Sequence, residues 1–288
     1  MISVVIPALN EADAIEATLE AVAATLNADE RFIGWEVIVV DDGSADGTGH
    51  IAALKGATVV RHPQKAGYGR SLKDGIAAAR NELIAITDAD GTYPIDRIPA
   101  LVAEIDRGFD MAVGARTGSE YRESFLKAPM RKLLTLLVEF TSGCRIPDTN
   151  SGLRVFRKST AMRFFPQLCN TFSFTTSMTL AFLLSGLFIS YIEIPYFKRI
   201  GKTKVRLFHD SLRTLQYIVQ AIVFYNPIKL FLVLALVVAV PSLLLLLLNL
   251  LTESLACLVL GSAGLATAIL VFALGLLADL IKQVETRV

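Results

Sequence analysis

Short apolar runs recur along the first third of the chain, each bounded by polar, charged or glycine-bearing residues. They fall at 2–6 (Ile-Ser-Val-Val-Ile), 36–40, 57–60, 83–87 and 110–114, and most are rich in Val and Ile, which favour strands. Between them, apolar positions recur at helical spacing near 12–26, 46–54, 69–80 and 95–107. Strands alternating with helices predict an α/β domain whose sheet is mainly parallel and covered on both faces. Ligands of such sheets gather beyond the carboxyl ends of the strands, so the residues just after each apolar run are the informative ones.

The pattern changes at the C-terminal end. Residues 228–251 are apolar apart from Lys229, Ser242 and Asn249, and 255–278 contain only small polar residues. At 1.5 Å per residue, either run crosses a hydrocarbon core of roughly 30 Å. Thr252, Glu253 and Ser254 leave room only for a tight turn, which predicts an antiparallel hairpin; Pro241 predicts a kink compatible with a span. Lys229, Lys282 and Arg287 flank the outer ends, and the turn holds an acid and no base. The positive-inside rule therefore predicts an integral protein of the cytoplasmic membrane, with both termini and all of residues 1–227 in the cytoplasm.

Composition sharpens this reading. The mean hydropathy of +0.53 over 288 residues is high for a soluble protein, and the two C-terminal runs account for the excess. Disorder, collagen-like repeats and a disulfide framework are excluded by 53% hydrophobic residues, 19 Gly and 3 Cys. Cys144, Cys169 and Cys257 lack metal-ligand spacing and read as reduced thiols. The first apolar stretch is too short, and lacks a basic leader, to read as a secretory signal. A net charge of +1 conceals a division: residues 1–110 carry 18 acidic and 9 basic side chains, whereas 111–227 carry 6 and 16. Separate tasks are implied for the two halves, and no nucleic-acid partner is expected.

Acidic clusters come directly after three of the predicted strands: Pro7-Ala8-Leu9-Asn10-Glu11, then Asp41-Asp42-Gly43-Ser44-Ala45-Asp46-Gly47-Thr48, then Asp88-Ala89-Asp90. A single Asp in such a place is an ordinary helix N-cap. Three clusters at three strand ends call for more, and the i, i+2 spacing of Asp88 and Asp90 brings two carboxylates near one point. One or two carboxylates plus substrate phosphates is how Mg²⁺ is usually held. Such a cluster sits beside a diphosphate only with a cation between them.

These motifs, in this order, resemble glycosyltransferase family two, with its nucleotide-sugar-binding A-type fold. The resemblance implies that Pro7, Asn10 and Glu11 line the donor pocket, and that Asp41 or Asp42 lies near the base and ribose. It further implies that Asp88 contacts the nucleotide–metal unit and that Asp90 ligates Mg²⁺ or Mn²⁺. Lys65-Ala66-Gly67-Tyr68-Gly69 matches a further family segment, in which a basic residue and glycines permit close approach to the donor.

In the second half, Asp148 to Arg154 resembles the D-x-x-S-G-x-R segment of membrane-anchored polyprenyl-phosphate sugar transferases, of the dolichyl-phosphate mannose synthase type and its undecaprenyl-phosphate counterparts. A basic run comes later, at Lys198, Arg199, Lys202, Lys204 and Arg206, and Gly201 to Lys204 fits that group's membrane-facing G-x-[ST]-K element. The shared pattern covers about residues 1–206. The implied organisation is a cytoplasmic glycosyltransferase domain (1–206), a juxtamembrane amphipathic helix (207–226), a transmembrane hairpin (227–281) and a cytoplasmic tail (282–288). Residues 121–140 and 208–225 have apolar positions at helical spacing with basic flanks, and are expected to lie in the headgroup layer. Assembly of some relatives through their membrane segments permits a homo-oligomer.

The expected reaction is inverting transfer of a sugar from a nucleotide diphosphate to a polyprenyl phosphate. A phosphate monoester is largely dianionic near neutral pH, so a strong general base matters less than holding two anions close together. Arg116, Arg154 and Lys204 are the candidates for that task, with Asp90 beneath the leaving group. Asp148 either orients an arginine or acts on the nucleophile. Two other readings stand beside this one: transfer to a sugar or lipid hydroxyl, which needs a base, and a non-catalytic nucleotide-sugar-binding membrane adaptor. A processive synthase would carry a Q-x-x-R-W segment, whereas the only Trp here is Trp35.

Overall fold

The computed structural model describes residues 1–117, 139–140, 143–199, 223 and 226–285. The chain divides into two compact units, residues 1–218 and 219–288.

The first unit is built on β1 (Ile2–Ala8), β2 (Glu36–Asp41), β3 (Thr58–Arg61), β4 (Leu83–Ile86), β5 (Met111–Thr117), β6 (Arg154–Arg157) and β7 (Ile189–Pro195). They form one sheet in the order β3-β2-β1-β4-β6-β5-β7. The pairs β1–β2, β2–β3, β1–β4 and β5–β7 are parallel, and β6 runs antiparallel to both of its neighbours. The sheet is thus mixed and mainly parallel. Every residue of β1 and β2 is buried, as their largely apolar character requires of strands covered on both faces. At the edge, β3 has exposed ends, Thr58 and Arg61, and half-buried Val59 and Val60 between them.

Helices α1 (Ala12–Asn27), α2 (Thr48–Leu54), α3 (Tyr68–Ala78) and α4 (Ile98–Asp106) fill the intervals expected from the periodicity. Two strands and two helices of the second half were not evident from the pattern: β6, β7, α5 (Lys158–Met162) and α6 (Phe174–Leu184). The apolar α6 buries nine of its residues, so its sequence carries no amphipathic stripe to read. At the amino end of β2, buried Glu36 accepts from Ser3 Oγ (2.7 Å), Arg80 N (2.6 Å) and Arg80 Nε (2.8 Å). Burial opposes its charge, but these bonds outweigh it and hold the carboxyl below its ordinary range.

The second unit is a helical hairpin, α7 (Pro227–Thr252) and α8 (Leu255–Glu285), and α7 runs through Pro241 as one helix. Glu253 adopts a left-handed conformation (φ 50°) at the turn and donates its amide to Asn249 O (2.8 Å). Small residues bring the helices together: a Cβ at Gly264 would collide with Ser242, and one at Gly275 would lie 2.5 Å from Phe231 Cβ. Their other faces leave many large side chains exposed, including Leu244, Leu247, Leu260 and Ile269. Both helices are long and apolar enough to cross a membrane. Nearly all of the juxtamembrane stretch expected at 207–226 and of 121–140, together with Lys204, lies outside the described residues.

Candidate active site

The carboxyl ends of β1, β2 and β4 carry the three acidic clusters, and two of these loops are laced together. Asn10 turns the chain out of β1 in the left-handed region (φ 49°), which Asn tolerates better than most residues. Its amide donates to Ser44 Oγ (2.9 Å) and its Oδ1 accepts from Ala45 N (2.8 Å). Glu11 N donates to Thr48 Oγ1 (2.9 Å), and Ala12 N donates to Asp46 Oδ2 (3.0 Å). Pro7 lies buried in β1, in register with Val40. Asp41 and Asp42, alike in sequence, separate in role. Asp41 Oδ1 accepts from Ser44 N (2.8 Å), with Arg61 Nε 3.7 Å from its Oδ2. Beside it opens a cleft of about 420 Å³ lined by Gly43, Ser44, Arg61, His62 and Pro63. Asp42 faces the other way: it accepts from Ala66 N (2.7 Å) and Gly67 N (2.9 Å), and His62 Nδ1 lies 2.7 Å from its Oδ1.

The Lys65–Gly69 segment follows β3 and leads into α3. Lys65 is exposed, while the glycines admit protein backbone: a Cβ on Gly67 (φ 113°) would lie 2.7 Å from Asn170 O, and one on Gly69 would strike Cys169 O. Close packing of the 169–171 loop therefore accounts for both glycines.

At the end of β4, Asp88 Oδ1 accepts from Tyr68 OH (2.8 Å). Burial, with the nearby Asp90 charge, pushes the Asp88 carboxyl up to about 7, and burial also keeps Tyr68 a neutral donor. Asp90 is buried and accepts from Thr92 N (3.2 Å) and Thr92 Oγ1 (2.6 Å). Arg199, just beyond β7, reaches this cluster. Its Nη2 lies 2.7 Å from Glu11 Oε1, and its Nε lies 3.3 Å from Asp90 Oδ2.

The 148–154 segment is fastened to the same place. Arg116 on β5 forks onto Asp148, with Nε to Oδ2 at 2.7 Å and Nη2 to Oδ1 at 2.9 Å, and its guanidinium lies over the Tyr196 ring at 5.3 Å. Burial works against the Asp148 charge, but Arg116's hydrogen bonds and charge, with the Asn150 amide, hold the carboxyl below its usual value. Gly152 N donates to Tyr93 OH (2.7 Å), and a Cβ on Gly152 would lie 2.9 Å from Asp88 Oδ2. Only glycine lets this loop press against the acidic pair.

Arg154, expected to hold the lipid phosphate, is fully buried. Its Nε donates to Ser151 O (2.7 Å), Nη2 to Thr149 O (2.8 Å) and Nη1 to Thr179 Oγ1 (2.7 Å). It binds its own loop to α6. Two carbonyls and a hydroxyl thus satisfy this buried guanidinium.

The structure thus brings together Glu11, Asp88, Asp90, Arg116 and Asp148. Tyr68, Tyr93, Thr92, Tyr196 and Arg199 join them. Of these additions, Tyr68 lay within the Lys65–Gly69 segment and Arg199 within the basic run, while Thr92 stands two residues past Asp90. Among the described residues, no group of three or more His, Cys, Asp or Glu side chains is arranged to hold a metal unaided.

The pattern of glycosyl transferase family 2 matches residues 3–165, more than half of the sequence. The chain belongs to this family. Within the family it is similar to an uncharacterised glycosyltransferase of Mycobacterium tuberculosis, 39% identical over 115 residues, which are 40% of this chain and 48% of that protein. The chain thus spans about half the length of that relative. It is 29% identical to a dolichyl-phosphate hexose transferase of Haloferax volcanii over 71% of this chain and 86% of that one. The fold is that of the glucosyl-3-phosphoglycerate synthase of Mycobacterium tuberculosis, solved with Mn²⁺, uridine diphosphate and glucosyl-3-phosphoglycerate. The TM-score is 0.62 at 23% identity, over 77% of this chain and 79% of that one.

Proposed function

We propose that this family 2 glycosyltransferase transfers a hexose from a nucleotide diphosphate to a polyprenyl phosphate at the cytoplasmic face of a membrane, with inversion at the anomeric carbon. The carrying observation is the adjacency of opposite charges: Asp88 and Asp90 at one strand end, with the Arg116–Asp148 pair and the 148–154 segment locked against them.

The acidic cluster suits a divalent ion. It already draws a guanidinium between Glu11 and Asp90, and because the described residues offer no cluster of three or more ligands, an ion would complete its shell with phosphate oxygens. Asp90, with Asp88, would hold Mg²⁺ or Mn²⁺, which supplies Lewis-acid and electrostatic neutralisation of the departing diphosphate. The laced loops of Asn10–Glu11 and Asp41–Thr48 frame the nucleoside side, with the cleft beside Arg61 and His62 for the base. Arg116 supplies a fixed positive charge close to the acidic pair. Lys204 would add to it from the stretch that precedes the membrane hairpin.

Asp148 acts here as an orienting residue. A carboxyl held below its ordinary pKa by a forked arginine is a poor base. That weakens the reading in which a hydroxyl is the acceptor, whereas a phosphate dianion needs no proton removed. The dolichyl-phosphate relative supports the same acceptor class. The two long apolar helices support membrane residence.

The test is to incubate the purified full chain with a panel of nucleotide hexoses, Mg²⁺ or Mn²⁺ and a short polyprenyl phosphate, and to weigh the lipid by mass spectrometry. A gain of one hexose on the phosphate is expected. An unchanged lipid, with the sugar found on an added hydroxyl acceptor, would overturn the proposal.

A further inference from the structure

Two arginines enter the acidic site, and they are held differently. Arg116 is forked onto Asp148 through two short bonds and stacked on Tyr196. Arg199 makes one short contact, Nη2 to Glu11 Oε1 at 2.7 Å, while its Nε faces Asp90 Oδ2 at 3.3 Å without forming a hydrogen bond, although that nitrogen is buried. Its side chain is 29% exposed, against 7% for Asp90. The main chain two residues earlier is pinned, with Phe197 N donating to Thr92 O (3.0 Å), so Arg199 is delivered to the carboxylates from a fixed point on the Asp90 loop. A buried donor that is charge-paired but not hydrogen-bonded is a poorer fit than a fork, and it is easier to displace.

We infer that Arg199 is a resident counter-cation of the acidic site. Without donor, its guanidinium occupies the Asp90 carboxylate that a divalent ion needs, and ion entry requires Arg199 to leave. The inference rests on the metal reading above. Glu11, assigned to the donor pocket by resemblance, is then Arg199's second anchor in the donor-free state. Replacing Arg199 by a neutral side chain removes the competitor and leaves Asp90 and its Thr92 bonds in place. Ion and arginine exclude one another, so the divalent affinity of the wild-type protein is weakened by the occupancy of the Arg199 contact.

The test titrates Mn²⁺ into the detergent-solubilised full chain without nucleotide and tracks the electron paramagnetic resonance signal of the free ion. Arg199→Ala and Arg199→Gln are each expected to bind Mn²⁺ about tenfold more tightly than wild type, within the usual span of coupling between two sites. Lys198→Ala, an exposed neighbour of equal charge, is expected to change affinity less than about twofold because its field is screened. Thermal unfolding monitored by Trp35 fluorescence confirms that a variant is folded; either Arg199 variant suffices. Wild-type affinity in a folded Arg199 variant, or equal tightening in Lys198→Ala, would overturn the inference while leaving the metal reading intact, provided Asp90→Asn abolishes binding. Absence of Mn²⁺ binding in every protein, with uridine and guanosine diphosphates also added, would overturn the metal reading and the inference with it.

Discussion

The Arg116–Asp148 pair gives the sharpest energetic prediction. Asp148 is 1% exposed and Arg116 13%, so Arg116→Met strands a carboxylate in a site with little water. Removing one partner of a buried ion pair costs about 3–5 kcal/mol, against 0–1 kcal/mol for an exposed pair. For a unit of this size, each kcal/mol lowers Tm by about 2–4 °C, so a fall of roughly 6–20 °C is expected. Trp35 is the only tryptophan and packs against the core of the first unit, so its fluorescence reports that unit alone. The loss should also depend on pH. In the wild type, burial is outweighed by Arg116 and Asp148 is held low, so its stabilisation is present at neutral pH and lost as pH falls through the folded value. In the variant the guanidinium is gone and only the backbone amides of residues 116 and 150 still oppose burial, so the carboxyl rises and its penalty is relieved by protonation at low pH. The Tm gap between the two proteins therefore narrows from pH 7 to pH 4. Arg116→Met/Asp148→Leu, which removes both charges, should recover most of the loss. A fall below about 2–4 °C, or a gap constant across that range, would refute the reasoning.

The same contacts lead to other outcomes. Asp90→Asn should keep the wild-type Tm yet lose on the order of 10²–10³ in metal-dependent kcat, measured by release of nucleoside diphosphate. The Asp88 carboxyl, raised to about 7, holds a proton that the unfolded chain releases near pH 4, so the metal-free fold loses stability as pH rises through this window. Mn²⁺ should consequently raise Tm more at pH 8 than at pH 5.5, and equal increments would contradict this. Gly69→Ala should destabilise by about 1–3 kcal/mol in denaturant titration, because the added methyl meets Cys169 O and Phe174 Cβ.

What the sequence made legible was the half with local periodicity. Strands such as Ile2–Ala8 and the acidic turns after them can be read from apolar runs and chain order, and the sheet places Glu11, Asp88 and Asp90 where that order implies. The second half was less open to reading because its contacts are long-range. Antiparallel β6 enters between β4 and β5, and nothing in Arg-Val-Phe-Arg announces that insertion. Arg154 shows the same limit. Its motif resembles that of the polyprenyl-phosphate transferases, but the burial of its guanidinium against Thr179 of α6 is a long-range contact. Asp41 and Asp42 are indistinguishable in sequence, and only the fold gives them different partners: Asp41, the last residue of β2, accepts from Ser44 N, whereas Asp42 just beyond it accepts from Ala66 N and Gly67 N. Arg199 was visible only as one of a basic run; that it, rather than Lys198, enters the acidic cluster depends on how the chain leaves β7.

The central claim is that a divalent ion on the acidic pair neutralises the outgoing diphosphate. The most direct measurement is anomalous scattering at the manganese edge from crystals of the full chain soaked with Mn²⁺ and a nucleoside diphosphate. The account predicts a peak about 2.1 Å from an Asp90 carboxylate oxygen, shared with the diphosphate and with Arg199 withdrawn. A bound diphosphate with Arg199 still on Glu11 and Asp90, and the manganese peak elsewhere, would contradict it.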